Sequence, residues 1–250
     1  MWKRDRKKTF LWTFIRDPKS QMISNLFFAH KTNIAKGNEP TLYNLKKFTK
    51  DNYLKQLEYV NVNKDNPKKR LTSEADKIDF FQEILDGFDF LGLVERFDES
   101  LVALRFMLGL DAGDILYVNA KKSGAYHFQN DECTKIPPKK TIEKQDEYYN
   151  AKKFRKIITP INEFYQAVNR SLDLTIERIG HDKFNAALAE HKRLMALTDE
   201  TCSPRAIFPC TEEGMPQLDK SEHSCYYKDH GCAYPCLDEL YYNVSNNILP

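Results

Sequence analysis

The sequence is short of several things that would narrow its class at once. No stretch of its 250 residues approaches the apolar length that crosses a bilayer. Glycine is scarce, nine in all, and no glycine-rich run carrying a Lys and a Ser or Thr offers a loop that could wrap a diphosphate. Neither sign of charge is in excess: 38 Lys and Arg face 36 Asp and Glu, a formal net charge of +2. That balance gives no reason to expect a nucleic-acid or membrane-surface partner, so any anion must be bound locally. No internal repeat is visible, and no Ser/His/Asp or Cys/His grouping of hydrolytic type can be read.

What is present suits a folded chain. Hydrophobic residues make up 41% and aromatics 12%, enough for a substantial core. The length suits one domain with an appendage, here residues 1–200 followed by a Cys-rich tail, 201–250. The basic start, Met1 to Lys8, leads into the apolar run Phe10 to Ile15. That run is short, lacks a small-residue cleavage site and ends at Arg16-Asp17-Pro18, so it reads as a core strand and not a signal peptide.

Periodicity and breakers predict the remaining order. A strand over Thr9–Ile15 precedes a helix capped by Asp17, with Pro18 in its first turn and Met22, Ile23, Leu26 and Phe27 as its apolar stripe. Lys31 to Asn66 is a polar excursion with short helices, and Asn61 to Lys69 reads as a loop. Ser73 begins a helix whose stripe includes Ile78, Phe81, Ile84 and Leu85, stopped at Gly87. A second strand-like run, Phe88–Val94, leads to a helix capped by Asp98, and Asp114–Asn119 is expected to return as a third strand. Lys121 to Asn150 is again polar. Ile161–Ile179 and Asp182–Ala196 form a helical pair joined near Gly180. The strand–helix alternation argues for an α/β core with a parallel sheet.

Five of the six cysteines, Cys202, Cys210, Cys225, Cys232 and Cys236, crowd into the tail, while Cys133 stands alone. Disulfides would compensate for the tail's small core, as in lumenal segments. The alternative is a zinc site from Cys225, Cys232 and Cys236 with His223 or His230, at spacings unlike a familiar knuckle. Asn169-Arg-Ser171 and Asn243-Val-Ser245 fit the glycosylation acceptor pattern.

The chemistry concentrates between Thr13 and Phe28. A buried parallel strand delivers Arg16 to its carboxyl edge, where open α/β sheets bind ligands. The helix that follows offers unsatisfied N–H groups to an anion. Arg16 adds a planar cation suited to phosphate, and Ser20 and Ser24, four apart, share one helical face. The alternative for Arg16 is an ion pair with a carboxylate at a well-capped junction. Glu95 reads either as an acid or base at the exit of the second strand, or as a local partner of Arg96 or Arg105. Asp98, Glu99 and Ser100 read as capping residues, and His30 as a helix-terminal cation.

Arg16-Asp17-Pro18, a Ser six residues after the Pro and then Phe27 and Phe28 resemble the 3′-phosphate-binding element of sulfotransferases that use 3′-phosphoadenylyl sulfate. Phe-Leu-Gly-Leu-Val-Glu-Arg-Phe-Asp-Glu-Ser-Leu-Val-Ala-Leu, from Phe90 to Leu104, is similar to a strand–helix segment of galactose-3-O-sulfotransferases. Gln21 stands where such enzymes often carry a second Arg. The resemblance covers roughly Thr9 to Asn119 and implies a P-loop-like core, incomplete at the N-terminus, with Arg16 and Ser24 holding the 3′-phosphate. It also implies 3′-phosphoadenylyl sulfate (PAPS) as co-substrate, no metal, and a carbohydrate or glycolipid acceptor. A Golgi-lumenal location follows, with the membrane reached only through an anchor preceding this sequence. The donor loop and catalytic base of the family are expected before the Arg-Asp-Pro strand, so this stretch is expected to be inactive alone. Lys121 and Lys122 read as a solvated pair or as residues reaching the nucleotide. Two other readings remain: an inactive relative that keeps glycan or nucleotide affinity, and a disulfide-stapled secreted structural protein. The oligomeric state is not encoded in any recognisable pattern.

Overall fold

The computed structural model of the chain describes residues 5, 7–29, 39–61, 66–119, 126–129, 132–135, 138, 140–216 and 233–246. His30, Lys121, Lys122, His223, Cys225, His230 and Cys232 lie outside the described residues. The chain is mostly helical with a small parallel two-stranded sheet, a mixed α/β arrangement.

The elements follow from local chemistry. β1 (Trp12–Ile15) is the aromatic and β-branched run before Arg16. α1 (Pro18–Ala29) starts where expected, because Asp17 Oδ1 accepts the Ser20 N–H at 2.8 Å, and it buries Met22, Leu26 and Phe27. α2 (Leu42–Asn52) opens on a capping box between Thr41 and Asn44, and α3 (Lys55–Val60) follows it. α4 (Pro67–Arg70) is one helical turn inside the expected loop, set by the Asn66 cap and Pro67. α5 (Glu74–Gly87) begins at the Ser73 cap. Its inward face is Phe80, Phe81 and Ile84, so Phe81 and Ile84 of the expected stripe are buried, while Ile78 is 58% exposed and lies off that face.

β2 (Phe90–Leu93) is buried along its whole length and is followed by a 3-10 turn, Val94–Arg96, and α6 (Phe97–Leu108). The third strand expected over Asp114–Asn119 does not form. Asp114 Oδ2 accepts the Asp111 N–H at 2.8 Å, a 3-10 turn takes Gly113–Ile115, and Leu116 goes into a helical core. β3 (Tyr126–Gln129) and β4 (Glu132–Lys135) make an antiparallel hairpin. α7 (Gln145–Asn150) leads into α8 (Lys152–Ile179), which starts well before the expected Ile161 and runs through Pro160. Its buried positions Phe154, Ile158, Ile161, Phe164, Val168, Leu172 and Ile176 keep helical spacing across the proline, and that continuous apolar face outweighs one lost backbone bond. Gly180 ends the helix at φ +93°, a conformation glycine adopts without steric cost. α9 (His181–Thr201) and α10 (Tyr234–Ser245) are the last helices among the described residues.

The contacts divide the chain into two compact units that interleave along the sequence. One comprises Met1–Leu26, Pro40–Leu104 and Thr141–Gly180; the other comprises Phe27–Glu39, Arg105–Lys140 and His181–Pro250. In the second, Cys202 pairs with Cys236 and Cys133 with Cys210. Cys133 is therefore not alone, and Cys236 is taken from the zinc alternative. Cys202, Cys236 and Leu240 form one small core, and Ala112, Leu116, Leu194 and Met195 another.

In the first unit β1 and β2 run parallel, with Trp12 opposite Phe90 and Ile15 opposite Leu93. α8 packs against β2, and Phe81 of α5 meets Phe164 of α8 at 5.3 Å between ring centres. Ser100 does not cap α6. It is fully buried, and its hydroxyl accepts the Leu93 N–H at 2.9 Å and donates to the Leu93 carbonyl, closing the end of β2. Gly92 is what lets this helix come so near. A Cβ there would stand 2.8 Å from the Phe14 ring and 2.9 Å from Ser100 Cβ. Gly92→Ala is expected to cost about 1–3 kcal/mol of stability through overpacking, read as a lower urea midpoint. An unchanged midpoint would contradict this close approach.

Candidate functional site

Parallel pairing puts the carboxyl ends of β1 and β2 at the same edge, so Arg16 and Glu95 leave the sheet on one side. The main chain of Arg16 is held there by a side chain. Its N–H donates to Gln56 Oε1 at 2.7 Å, and Gln56 Nε2 donates to the Arg16 carbonyl at 2.9 Å. Gln56 is buried on α3, so its amide stands in for the next strand and satisfies groups that would otherwise be orphaned.

Asp17 follows and is engaged on both sides. Its N–H donates to Glu95 Oε2 at 2.9 Å, while its carboxylate caps α1. The same Glu95 oxygen accepts from the Tyr165 hydroxyl of α8 at 3.2 Å. Glu95 is thus neither a partner of Arg96 nor of Arg105. Arg96 donates to Glu99, to Asp173 at 2.6 Å and to the Asn169 side chain at 2.9 Å. Arg105 pairs with Glu190 at 2.8 Å. The same contact engages Asn169, one of the two glycosylation-pattern residues, in the middle of α8.

The Arg16 guanidinium is the exception in this well-bonded junction. Its Nε is buried without a hydrogen-bond partner, and none of the ion pairs among the described residues includes Arg16. Ser24 lies half-buried on α1, one turn beyond Ser20, and no hydrogen bond joins it to Arg16.

A second orphan lies nearby. The Tyr149 hydroxyl, on α7, is also buried without a partner. Its ring packs on Phe154 at 4.8 Å, and Lys19 Nζ of α1 stands 5.8 Å from the ring centre. A buried donor without an acceptor costs about 1–3 kcal/mol, more when charged, so two in one neighbourhood call for an explanation. Burial, then the charges of Tyr148, Asp17 and Asp146, push the Tyr149 phenol up to about 12. Burial, then Glu95, likewise push Tyr165 up to about 12.

Gln56, Tyr149 and Tyr165 were not among the residues that sequence reasoning singled out. The signal for Gln56 was a polar residue framed by Leu54 and Leu57 in a short helix; the two tyrosines carried none. Among the described residues no group of three His, Cys, Asp or Glu side chains is arranged to hold a metal ion.

Both phenols hold their protons more tightly folded than unfolded, where tyrosine titrates near 10. The stability they contribute is complete below about pH 10 and is lost as pH rises toward 12. The urea midpoint should therefore fall across that window, and fall less in Tyr149→Phe. Equal slopes in the two proteins would contradict the burial of this phenol.

No protein-family model, curated protein or solved structure matches the chain.

Proposed function

We propose that the carboxyl edge of the β1–β2 pair is the 3′-phosphate end of a donor-nucleotide site in a P-loop-like sulfotransferase core. The chain is then part of a carbohydrate sulfotransferase that moves a sulfuryl group from PAPS to a sugar hydroxyl of a glycan or glycolipid. Arg16 and Ser24 hold the 3′-phosphate. In the transfer the acceptor oxygen bonds to sulfur, the bridging bond from sulfur to the 5′-phosphate oxygen breaks, and the hydroxyl proton passes to a base. Adenosine 3′,5′-bisphosphate leaves.

The observation that carries this reading is the buried, partnerless Nε of Arg16 at the end of a parallel strand, just before a helix start. A guanidinium has donors only, so this Nε–H needs an acceptor, and phosphate oxygens fit the planar fork to which it belongs. Resemblance supplies the identity of that anion; the geometry supplies the vacancy in its bonding. The disulfides Cys133–Cys210 and Cys202–Cys236 support a lumenal compartment, where such bonds persist.

A second reading has one observation in its favour. Glu95 already occupies the Asp17 N–H at the helix start, which leaves less of that backbone for a second phosphoryl group. This favours a protein that binds the nucleotide or a glycan without turning it over.

Calorimetric titration with adenosine 3′,5′-bisphosphate tests both. Saturable heat is expected in the wild type, and Arg16→Ala should weaken binding roughly ten- to hundredfold, as loss of a charge-assisted bond does. A labelled-donor assay on this chain should show no turnover above background, because the donor loop and base are expected before it; robust turnover would overturn that expectation and exclude the binder. No heat in the wild type would exclude a nucleotide site and favour the disulfide-stapled structural protein or a binder of glycan alone.

A further inference from the structure

Arg16 Nε and the Tyr149 hydroxyl are buried donors with no hydrogen-bond partner among the described residues. Arg16 precedes Asp17 directly. Tyr149 feels the Asp17 carboxylate, and its ring lies under the ammonium of Lys19, in the first turn of α1. The two orphans come from different elements, β1's exit and α7, and the Tyr149 ring borders the first turn of the helix that Arg16 and Asp17 lead into. α7 lies in the polar stretch outside the segment that resembles a sulfotransferase, so no motif assigns Tyr149 a role.

We propose that Tyr149 is a ligand-binding residue of this junction, its hydroxyl joining Arg16 Nε in donating to the oxygens of one phosphate monoester, the 3′-phosphate of the donor nucleotide. This rests on the function proposed above and adds to it a residue that the resemblance does not supply.

The chemistry of the neighbours narrows the ligand. Arg16 has no acceptor, and the phenol stays protonated throughout the physiological range, so both present hydrogen to an incoming oxygen. The two carboxylates at the junction are already occupied: Asp17 with the Ser20 N–H, Glu95 with the Asp17 N–H and Tyr165. Arg16 and Lys19 balance Asp17 and Glu95 in formal charge. A phosphate is thus recognised at short range by directed donors and is not drawn in by a positive field, and its binding should depend only weakly on salt.

The test compares wild type with Tyr149→Phe, which removes one oxygen and keeps the ring on Phe154 and under Lys19. Each is titrated with adenosine 3′,5′-bisphosphate and with adenosine 5′-monophosphate, and each is melted without ligand. We expect the variant to bind the bisphosphate about tenfold more weakly, to bind the monophosphate as the wild type does, and to melt no earlier. Equal bisphosphate affinity in the two proteins would overturn the role of Tyr149 while leaving the nucleotide site standing. An earlier melt with unchanged affinity would overturn it too, since the hydroxyl would then have an internal partner. A wild type that does not distinguish bisphosphate from monophosphate would sink the nucleotide reading and this inference together.

Discussion

The register that sets Ile15 opposite Leu93 governs the first unit of this protein. Because the two strands run the same way, Arg16-Asp17 and Glu95 emerge side by side, and a single backbone N–H, that of Asp17, reaches the Glu95 carboxylate. With only two strands, each would leave a row of backbone groups unpaired on its outer side. At Arg16 the Gln56 amide supplies the missing partner through two hydrogen bonds, and at Leu93 the Ser100 hydroxyl does the same. Side chains thus complete a sheet too small to complete itself.

That completion has a consequence for polarity at the edge. The carboxylates at the junction are engaged, and so is the neighbouring arginine: Asp17 caps α1, Glu95 takes an amide and a phenol, and Arg96 is held by Glu99, Asp173 and Asn169. Against this background the two unanswered donors, Arg16 Nε and the Tyr149 hydroxyl, stand out. A low local dielectric makes each costly to leave alone, and it would equally strengthen a bond to an anion that arrived there. The same burial that raises the Tyr149 and Tyr165 phenols keeps them as donors.

Local signals in the sequence were enough for the framework of this site. The Asp17-Pro18 helix start and the Ser73 cap depend on neighbours a few residues away and stand where expected, and the strands expected over Thr9–Ile15 and Phe88–Val94 form as the shorter Trp12–Ile15 and Phe90–Leu93. What went unread depends on partners far along the chain. Gln56 is forty residues from Arg16, and its place between Leu54 and Leu57 marks burial but not its partner; Tyr165 is seventy from Glu95, and nothing local marks it. Cys133 looked solitary because its partner, Cys210, is 77 residues on. The expected strand over Asp114–Asn119 failed for a different reason: its apolar residues fit a buried turn as well as a strand, and the Asp111–Asp114 contact decides for the turn.

The Arg16 Nε–H is the atom on which the account turns, and heteronuclear NMR of arginine side chains observes it directly. Its resonance, identified by its loss in Arg16→Lys, should shift and exchange more slowly with solvent when adenosine 3′,5′-bisphosphate is added, and stay in place with adenosine 5′-monophosphate. If the bisphosphate binds while that resonance does not move, the phosphate sits elsewhere and the account is wrong.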